Sequence, residues 1–236
     1  MTKTIDFFID GDQSKKISFE VKRQVNTGRT SRDTGDVMKH VEELKKQGIT
    51  LSGTDVAYHV KLTDRITTAN EIELLHPGVQ TSGEIEPAFL IDPSGSIYVT
   101  IGSDHSDRNL QTFSSQLAKQ VYDNVLSPTV WRYEDVIGHW DDIIMESYIK
   151  EDGEEQLYQK GTLAEMLRPE VFLEGNKARM ADGDLSGSVI LGGTFPTLTG
   201  ELNFSYYFRM VMTDPVLNRK IEHTYVGKPI EWFVKP

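Results

Sequence analysis

The sequence has no cysteine in its 236 residues, so disulfides, thiolate metal sites and cysteine nucleophiles are excluded at once. It has no apolar run near the roughly 18–20 residues of a membrane span, and the opening Met1-Thr-Lys-Thr-Ile-Asp6 turns acidic too soon for a secretory leader. Basic charge is in short supply. With 25 Lys and Arg against 36 Asp and Glu, the net charge of −11 opposes electrostatic binding to nucleic acid or an anionic membrane. There is no phosphate-binding glycine loop, no His-Glu-x-x-His zinc pattern and no Gly-x-Ser-x-Gly elbow. Repeats, low-complexity segments and linkers are missing too. The expectation is a soluble cytoplasmic protein forming one domain over 1–236, in which 1–70 is a hairpin-and-helix part and 71–236 a core carrying the site.

What is there is acidic and clustered. Glu84 and Glu86 lie two residues apart in a strand-like run with Ile85, Phe89, Leu90 and Ile91, so their side chains leave the same face. Asp92-Pro-Ser-Gly95 is a turn signal before a second apolar run, Ser96 to Ile101. Four loop residues pair Ile91 with Ser96, Glu86 with Ile101 and Glu84 with Ser103, which sets Asp104 beside Glu84. Three carboxylates this close raise one another's pKa unless a proton or cation compensates. An all-oxygen set suits Mg²⁺, Mn²⁺ or Ca²⁺ rather than zinc or copper. A Glu-x-Glu pair is also common on solvated strands, but Ala88 and Leu90 continue the glutamate face, and a strand apolar on both faces is usually buried.

Elsewhere, residues 4–9 and 17–21 read as a hairpin about Asp10-Gly-Asp12, and Asp33 or Thr34 caps a helix with Val37, Val41 and Leu44 on one stripe and Gly48 as its stop. Ser106 or Asp107 caps a second helix with Leu110, Phe113, Leu117 and Val121 as its core stripe, its N-terminus pointing at the carboxylates. On that reading Arg108, Gln111, Ser115 and Lys119 form the opposite, solvated face. Residues 143–149 and 156–158 flank a hairpin turn, Thr162-Leu-Ala-Glu165 has capping-box form, and the helix it opens stops before Pro169. Strands dominate from Ser188 onward. The fold class is therefore α+β. Gly192-Gly-Thr194 ends an apolar strand where backbone could approach a ligand, and His139-Trp-Asp-Asp142 lacks a second ligand at helical spacing and reads as structural.

In order, these motifs resemble the fumarylacetoacetate hydrolase superfamily, which carries a Gly-Glu-x-Glu strand, an Asn-Asp-x-Ser-x-Arg segment and a late Gly-Thr-Pro turn. Here they stand as Gly83-Glu-Ile-Glu86, Ser103-Asp-His-Ser-Asp-Arg108 with Gln111 behind, and Gly193-Thr-Phe-Pro196. The match spans roughly residues 70–230 and is most similar to an uncharacterised branch described only as a domain of unknown function. The resemblance implies a β-rich mixed-sheet roll with a few short helices, commonly a homodimer. It implies an ion, Mg²⁺ before Mn²⁺ or Ca²⁺, held by Glu84, Glu86 and Asp104. Members of the superfamily cleave, decarboxylate, hydrate or isomerise small 2-oxo acids and diketones through a metal-bound enolate.

The chain also departs from that pattern. Ser103 replaces the asparagine, His105 replaces an apolar residue, and Lys119 follows alanine instead of glycine. No His-x-x-Glu dyad, which activates water in hydrolytic members, is found about Tyr58-His59. The expected function is a metal-dependent lyase or hydrolase of a small 2-oxo carboxylate or diketone. His105 and Lys119 handle protons, while Arg108, Gln111 and Thr194 bind substrate oxygens. The alternative, supported by the missing dyad, is a non-catalytic metal- or ligand-binding relative of the same fold.

Overall fold

The computed structural model describes residues 2–49 and 55–233. Strands β1 (Lys3–Ile9) and β2 (Lys16–Val21) form the opening hairpin, turned by Asp10 and Gly11 at left-handed φ of 54° and 72°. Then come β3 (Arg23–Gly28), helix α1 (Thr34–Lys46), β4 (Ala57–Lys61), β5 (Ile66–Thr67), β6 (Glu71–Leu74) and β7 (Thr81–Ser82). The central hairpin is β8 (Ile85–Ile91) and β9 (Ile97–Asp104), followed by β10 (Ser106–Asp107), α2 (Arg108–Gln111), α3 (Ser115–Val121), β11 (Asn124–Leu126) and β12 (Thr129–Arg132). Helix α4 (Tyr133–Val136), the hairpin β13 (Ile144–Glu151) and β14 (Glu154–Thr162), α5 (Pro169–Lys177), β15 (Ser188–Leu191), β16 (Tyr207–Asp214) and β17 (Arg219–Pro229) complete the order.

Among the described residues these strands make one mixed sheet along β2-β1-β12-β9-β8-β15-β3-β4, with β11 and β5 branching from β9, a second of order β14-β13-β16-β17-β6, and a two-stranded pair of β7 with β10. Most neighbours are antiparallel, but β1 with β12, β15 with β3, β11 with β5 and β17 with β6 are parallel. The N-terminal strands are therefore built into the central sheet. Every residue of β8 is buried, as a strand apolar on both faces should be. Ile85, Phe89 and Ile91 join a core shared with Met145, Phe208 and Met210 of the second sheet, and Phe89 lies against Trp140 and Phe172 with ring centroids 5.4 and 5.1 Å away. Ala88 and Leu90 join a separate core with Phe7, Phe19 and Val130, enclosed as the sheet curls over itself. Each of the larger side chains among these contributes about 1.5–3 kcal/mol by burial, so both faces of β8 are held firmly.

The β8–β9 register differs by one residue from the sequence expectation. Ile91 pairs with Ile97 and Glu86 with Gly102, because Asp92 N–H bonds Ser96 O at 2.8 Å and draws Ser96 into the turn. The shift sets Asp104 directly across from Glu84, whose carbonyl accepts the Asp104 N–H at 3.1 Å.

The expected helix from 106 to 121 is two helices, capped separately by the Asp107 carboxylate on Leu110 N–H and the Ser114 hydroxyl on Leu117 N–H. The break turns the faces over: Phe113 is 82% exposed and Leu117 47%, while Arg108, Gln111, Ala118 and Lys119 are buried. Polar contacts inside outweigh the apolar stripe. The Thr162–Glu165 capping box is present but opens only one 3-10 turn. Pro169, read as a stop, instead occupies the first turn of α5, where its missing N–H has no partner to lose.

Candidate metal centre

Glu84, Glu86 and Asp104 are all buried and each turns a carboxylate oxygen to within 4.8 Å of the others. Alternation from Glu84, just before β8, to Glu86 within it puts both glutamates on one face, and β9 brings Asp104 onto the same face opposite Glu84. Glu84 Oε1 and Asp104 Oδ1 are buried and accept no hydrogen bond. Glu84 Oε1 is matched by the charge of Arg108 beside it, Asp104 Oδ1 is costly to leave unmatched, and hard oxygen donors of this kind fit a divalent cation.

The surrounding charges are arranged about the three. Lys119 Nζ contacts Asp104 Oδ2 and lies 3.9 Å from Glu84 Oε2. Arg108 donates to Ser82 Oγ at 2.8 Å and Gln111 Oε1 at 2.7 Å, and its Nη2 stands 3.1 Å from Glu84 Oε1. Glu86 accepts the Gly193 N–H at 2.9 Å. Gly193 has φ of 84°, and a Cβ there would lie 2.3 Å from Thr30 Oγ1, so only glycine lets this loop reach the carboxylate.

Burial pushes all three carboxyl groups up, but not all end there. For Asp104, Lys119 and Lys61 outweigh burial, and for Glu84, Arg108, Lys119 and His40 do so; both are held below the ordinary range. For Glu86 the balance falls the other way: burial and then the Asp104 charge outweigh Lys119 and the Gly193 N–H and hold it well above the carboxylate range. Lys119 is raised because Asp104, Glu84 and Glu86 outweigh its desolvation. The trio thus combines two firm anions with one carboxyl that favours a proton.

Glu84 and Glu86 open onto a cavity of about 280 Å³ between the sheet and α1, and Asp104 lies buried behind them. Its walls include His40 and Leu44 of α1, Arg29, His59, Gln111, Lys119 and Thr194. Of the residues expected from sequence, the structure therefore brings Glu84, Glu86, Asp104, Lys119, Gln111 and Thr194 together. The Thr194 hydroxyl donates to Ile85 O and accepts from Gln159 Nε2, each at 2.8 Å.

Two of the expected residues lie elsewhere. Arg108, 1% exposed, supports Glu84 and Gln111 from behind the cavity wall. His105 points to the opposite side of β9, where its Nδ1 meets the Tyr225 hydroxyl at 2.8 Å and its ring packs edge-on against Tyr122 and Tyr225. Burial, then Arg108 and Lys61, hold its pKa down to about 3. A neutral ring outside the cavity is not placed for proton transfer there.

In its stead the structure brings in a pair that the sequence reading missed. His40-Val-Glu-Glu43 on α1 has the His-x-x-Glu spacing sought in vain about Tyr58-His59. His40 Nδ1 lies 3.1 Å from Glu43 Oε2, and Nε2 lies 3.6 Å from Glu84 Oε1. The other Glu43 oxygen accepts Thr197 N–H and Oγ1 at 2.8 and 3.0 Å. The Glu43 carboxylate holds the ring through Nδ1, which leaves Nε2 facing the cavity beside Glu84. The signal was helical: His40, Leu44 and Val37 share one side of α1.

No functionally curated protein matches the chain in sequence. Among solved structures it is similar to a putative fumarylacetoacetate isomerase/hydrolase from Oleispira antarctica, at 16% identity and a TM-score of 0.65, covering 95% of this chain and all of that one (100%). It is similar to a putative HpcE protein from Mycobacterium smegmatis at 17% identity and 0.62, covering 89% and 76%. A 2-keto-3-deoxy-D-arabinonate dehydratase complexed with magnesium and 2,5-dioxopentanoate aligns at 14% and 0.58, covering 92% and 78%. At these identities the likeness shows the fold, a β-rich mixed-sheet roll of fumarylacetoacetate hydrolase type. In sequence, residues 27–225 match the family model described as a protein of unknown function, DUF2848, and the chain belongs to that family.

Proposed function

We propose that this chain is a metal-dependent lyase or hydrolase acting on a small 2-oxo carboxylate or diketone, a divergent member of the fumarylacetoacetate hydrolase superfamily. The observation that carries the reading is the buried trio Glu84, Glu86 and Asp104, with Asp104 Oδ1 lacking a hydrogen bond and both glutamates lining a cavity. A similarly folded dehydratase has been captured with magnesium and a dioxo carboxylate, which supports Mg²⁺ here. The bound ion would supply Lewis acidity, drawing charge from a 2-oxo group as the adjacent bond breaks.

The protein's own groups divide the remaining work. Lys119 balances Asp104 and Glu84 and presents a cation to a substrate carboxylate. Gln111, held by Arg108, offers its amide N–H groups to a substrate oxygen. His40, oriented by Glu43, takes or gives a proton at Nε2. His105 keeps a structural place in this reading. The His40–Glu43 pair also removes the main support for a non-catalytic relative, which was the lack of such a dyad.

The test is a panel of acylpyruvates, oxaloacetate and hydroxylated 2-oxo acids assayed with Mg²⁺, with EDTA, and with Glu84→Ala protein. Turnover that requires Mg²⁺ and is lost in Glu84→Ala is expected. Turnover indifferent to both EDTA and the substitution would refute the metal role.

A further inference from the structure

Behind Glu84, on the far side of the sheet from the cavity, a line of buried hydrogen bonds runs from His105 to the Glu84 backbone. His105 Nδ1 meets Tyr225 Oη at 2.8 Å, Tyr225 Oη meets Ser103 Oγ at 2.8 Å, and Ser103 Oγ accepts the Glu84 N–H at 3.2 Å. All three side chains are buried, with His105 the most exposed at 1%. Solvent cannot substitute for any missing member.

One arrangement of protons gives each hydroxyl an acceptor. Ser103 Oγ already receives the Glu84 N–H, so its own proton goes to Tyr225, and the Tyr225 proton goes to His105 Nδ1. That leaves the ring hydrogen on Nε2, which is buried without a partner. A leucine of similar size would pack between Tyr122 and Tyr225 without that penalty. What the imidazole supplies that leucine cannot is the acceptor for Tyr225.

The Tyr225 hydroxyl is also a steric stop. A Cβ on residue 83 would come within 2.6 Å of Tyr225 Oη, 2.8 Å of Ser103 Oγ and 2.9 Å of Phe208, so the chain lies hard against this cluster as it enters Glu84. The Glu84 carbonyl is fixed from the same segment by Asp104 N–H at 3.1 Å. Residues 103 to 105 thus clamp both polar groups of the Glu84 peptide backbone. With that backbone held, the carboxylate has only its own side-chain torsions left, and these are limited by Arg108 and Lys119.

We propose that His105 is a positioning residue which, through Tyr225 and Ser103, sets where the Glu84 carboxylate stands relative to Glu86 and Asp104 and so how tightly the trio binds a divalent ion. It rests on the metal reading above. Groups that orient ligands in this way typically change metal affinity about 10–100-fold when removed.

The test uses the full chain and Mn²⁺ alone, with binding followed by the loss of the free-ion electron paramagnetic resonance signal and by calorimetry. His105→Leu keeps the volume and removes the acceptor, and Tyr225→Phe removes only the hydroxyl, which preserves packing should the first variant fold poorly. His105→Asn restores a polar acceptor near the Nδ1 position. Weakening of about 10–100-fold is expected in His105→Leu and Tyr225→Phe, with most of the affinity recovered in His105→Asn. Wild-type Mn²⁺ affinity in both, even with lowered stability, leaves these residues purely structural and overturns the positioning role. Absence of Mn²⁺ binding by the wild-type protein overturns the metal site itself and the proposal with it.

Discussion

His40 and Glu84 meet across the cavity, the imidazole Nε2 standing 3.6 Å from Oε1 of the carboxylate. The contact joins α1 to the segment leading into β8, and it sets a proton-handling nitrogen beside a candidate metal ligand. On the proposed mechanism, His40→Gln lowers kcat by about 10²–10⁴ while Mn²⁺ affinity changes little. Steady-state kinetics alongside metal titration separate the two effects, and an undiminished kcat removes His40 from proton transfer.

Lys119 is the first cation holding Asp104 as an anion and, after Arg108, the second holding Glu84. Lys119→Met leaves buried negative charge uncompensated, and breaking such a pair costs about 3–5 kcal/mol. Urea unfolding in EDTA is expected to show that loss. Added Mg²⁺ should raise the midpoint more in the variant than in the wild type, because the ion takes over the charge balance that the ammonium supplied. Equal Mg²⁺ shifts in the two proteins would count against this.

Gly193→Ala places a methyl group 2.3 Å from Thr30 Oγ1 and 3.1 Å from Thr27 O, at a φ of 84° that disfavours side chains. Strain of this kind costs on the order of 1–3 kcal/mol. The same loop carries the N–H that Glu86 accepts, so lower stability is expected together with weaker Mn²⁺ binding. Denaturation and metal titration on one preparation check both, and normal binding would mean that Glu86 is fixed by other contacts.

His59 titrates at about 4 instead of 6.5, first because of burial and then because of the Lys119 charge. Between those values the unfolded chain takes up a proton that the folded protein refuses. Its contribution is therefore full above about pH 6.5, shrinks as the pH falls, and is gone below the folded value. His59→Gln lacks this component. The difference in urea midpoint between pH 7.5 and 4.5 is expected to be smaller in the variant, and identical differences would contradict the assignment.

How far the site could be read from sequence depended on how local its parts are. Glu84 and Glu86 were legible because alternation alone puts them on one face, and Asp104 because a turn signal sets the pairing, even with Ser96 drawn into the turn. Periodicity alone put Arg108, Gln111 and Lys119 on a solvated face, because Phe113 and Leu117 spell a continuous apolar stripe, and only the motif resemblance assigned them to the site; the break at Ser114 inverts that stripe. His40 and Glu43 were overlooked because a polar pair three apart on a helix usually faces water. What buries Glu43 is Thr197, 154 residues away, and what orients Glu86 is Gly193, 107 away. Such partners follow from topology, which local pattern does not encode.

The parallel pairing of β3 with β15 has a kinetic consequence. Arg23 to Asn26 lie beside Ser188 to Leu191, so an early strand has one edge unfilled until the chain has been made past residue 191. The loop reaching Glu86 comes immediately after. During synthesis the acidic trio must therefore wait, without its last backbone donor, until most of the chain has emerged. A fold so rich in distant pairings is expected to form slowly, on the scale of milliseconds to seconds, and its pocket to be among the last parts completed.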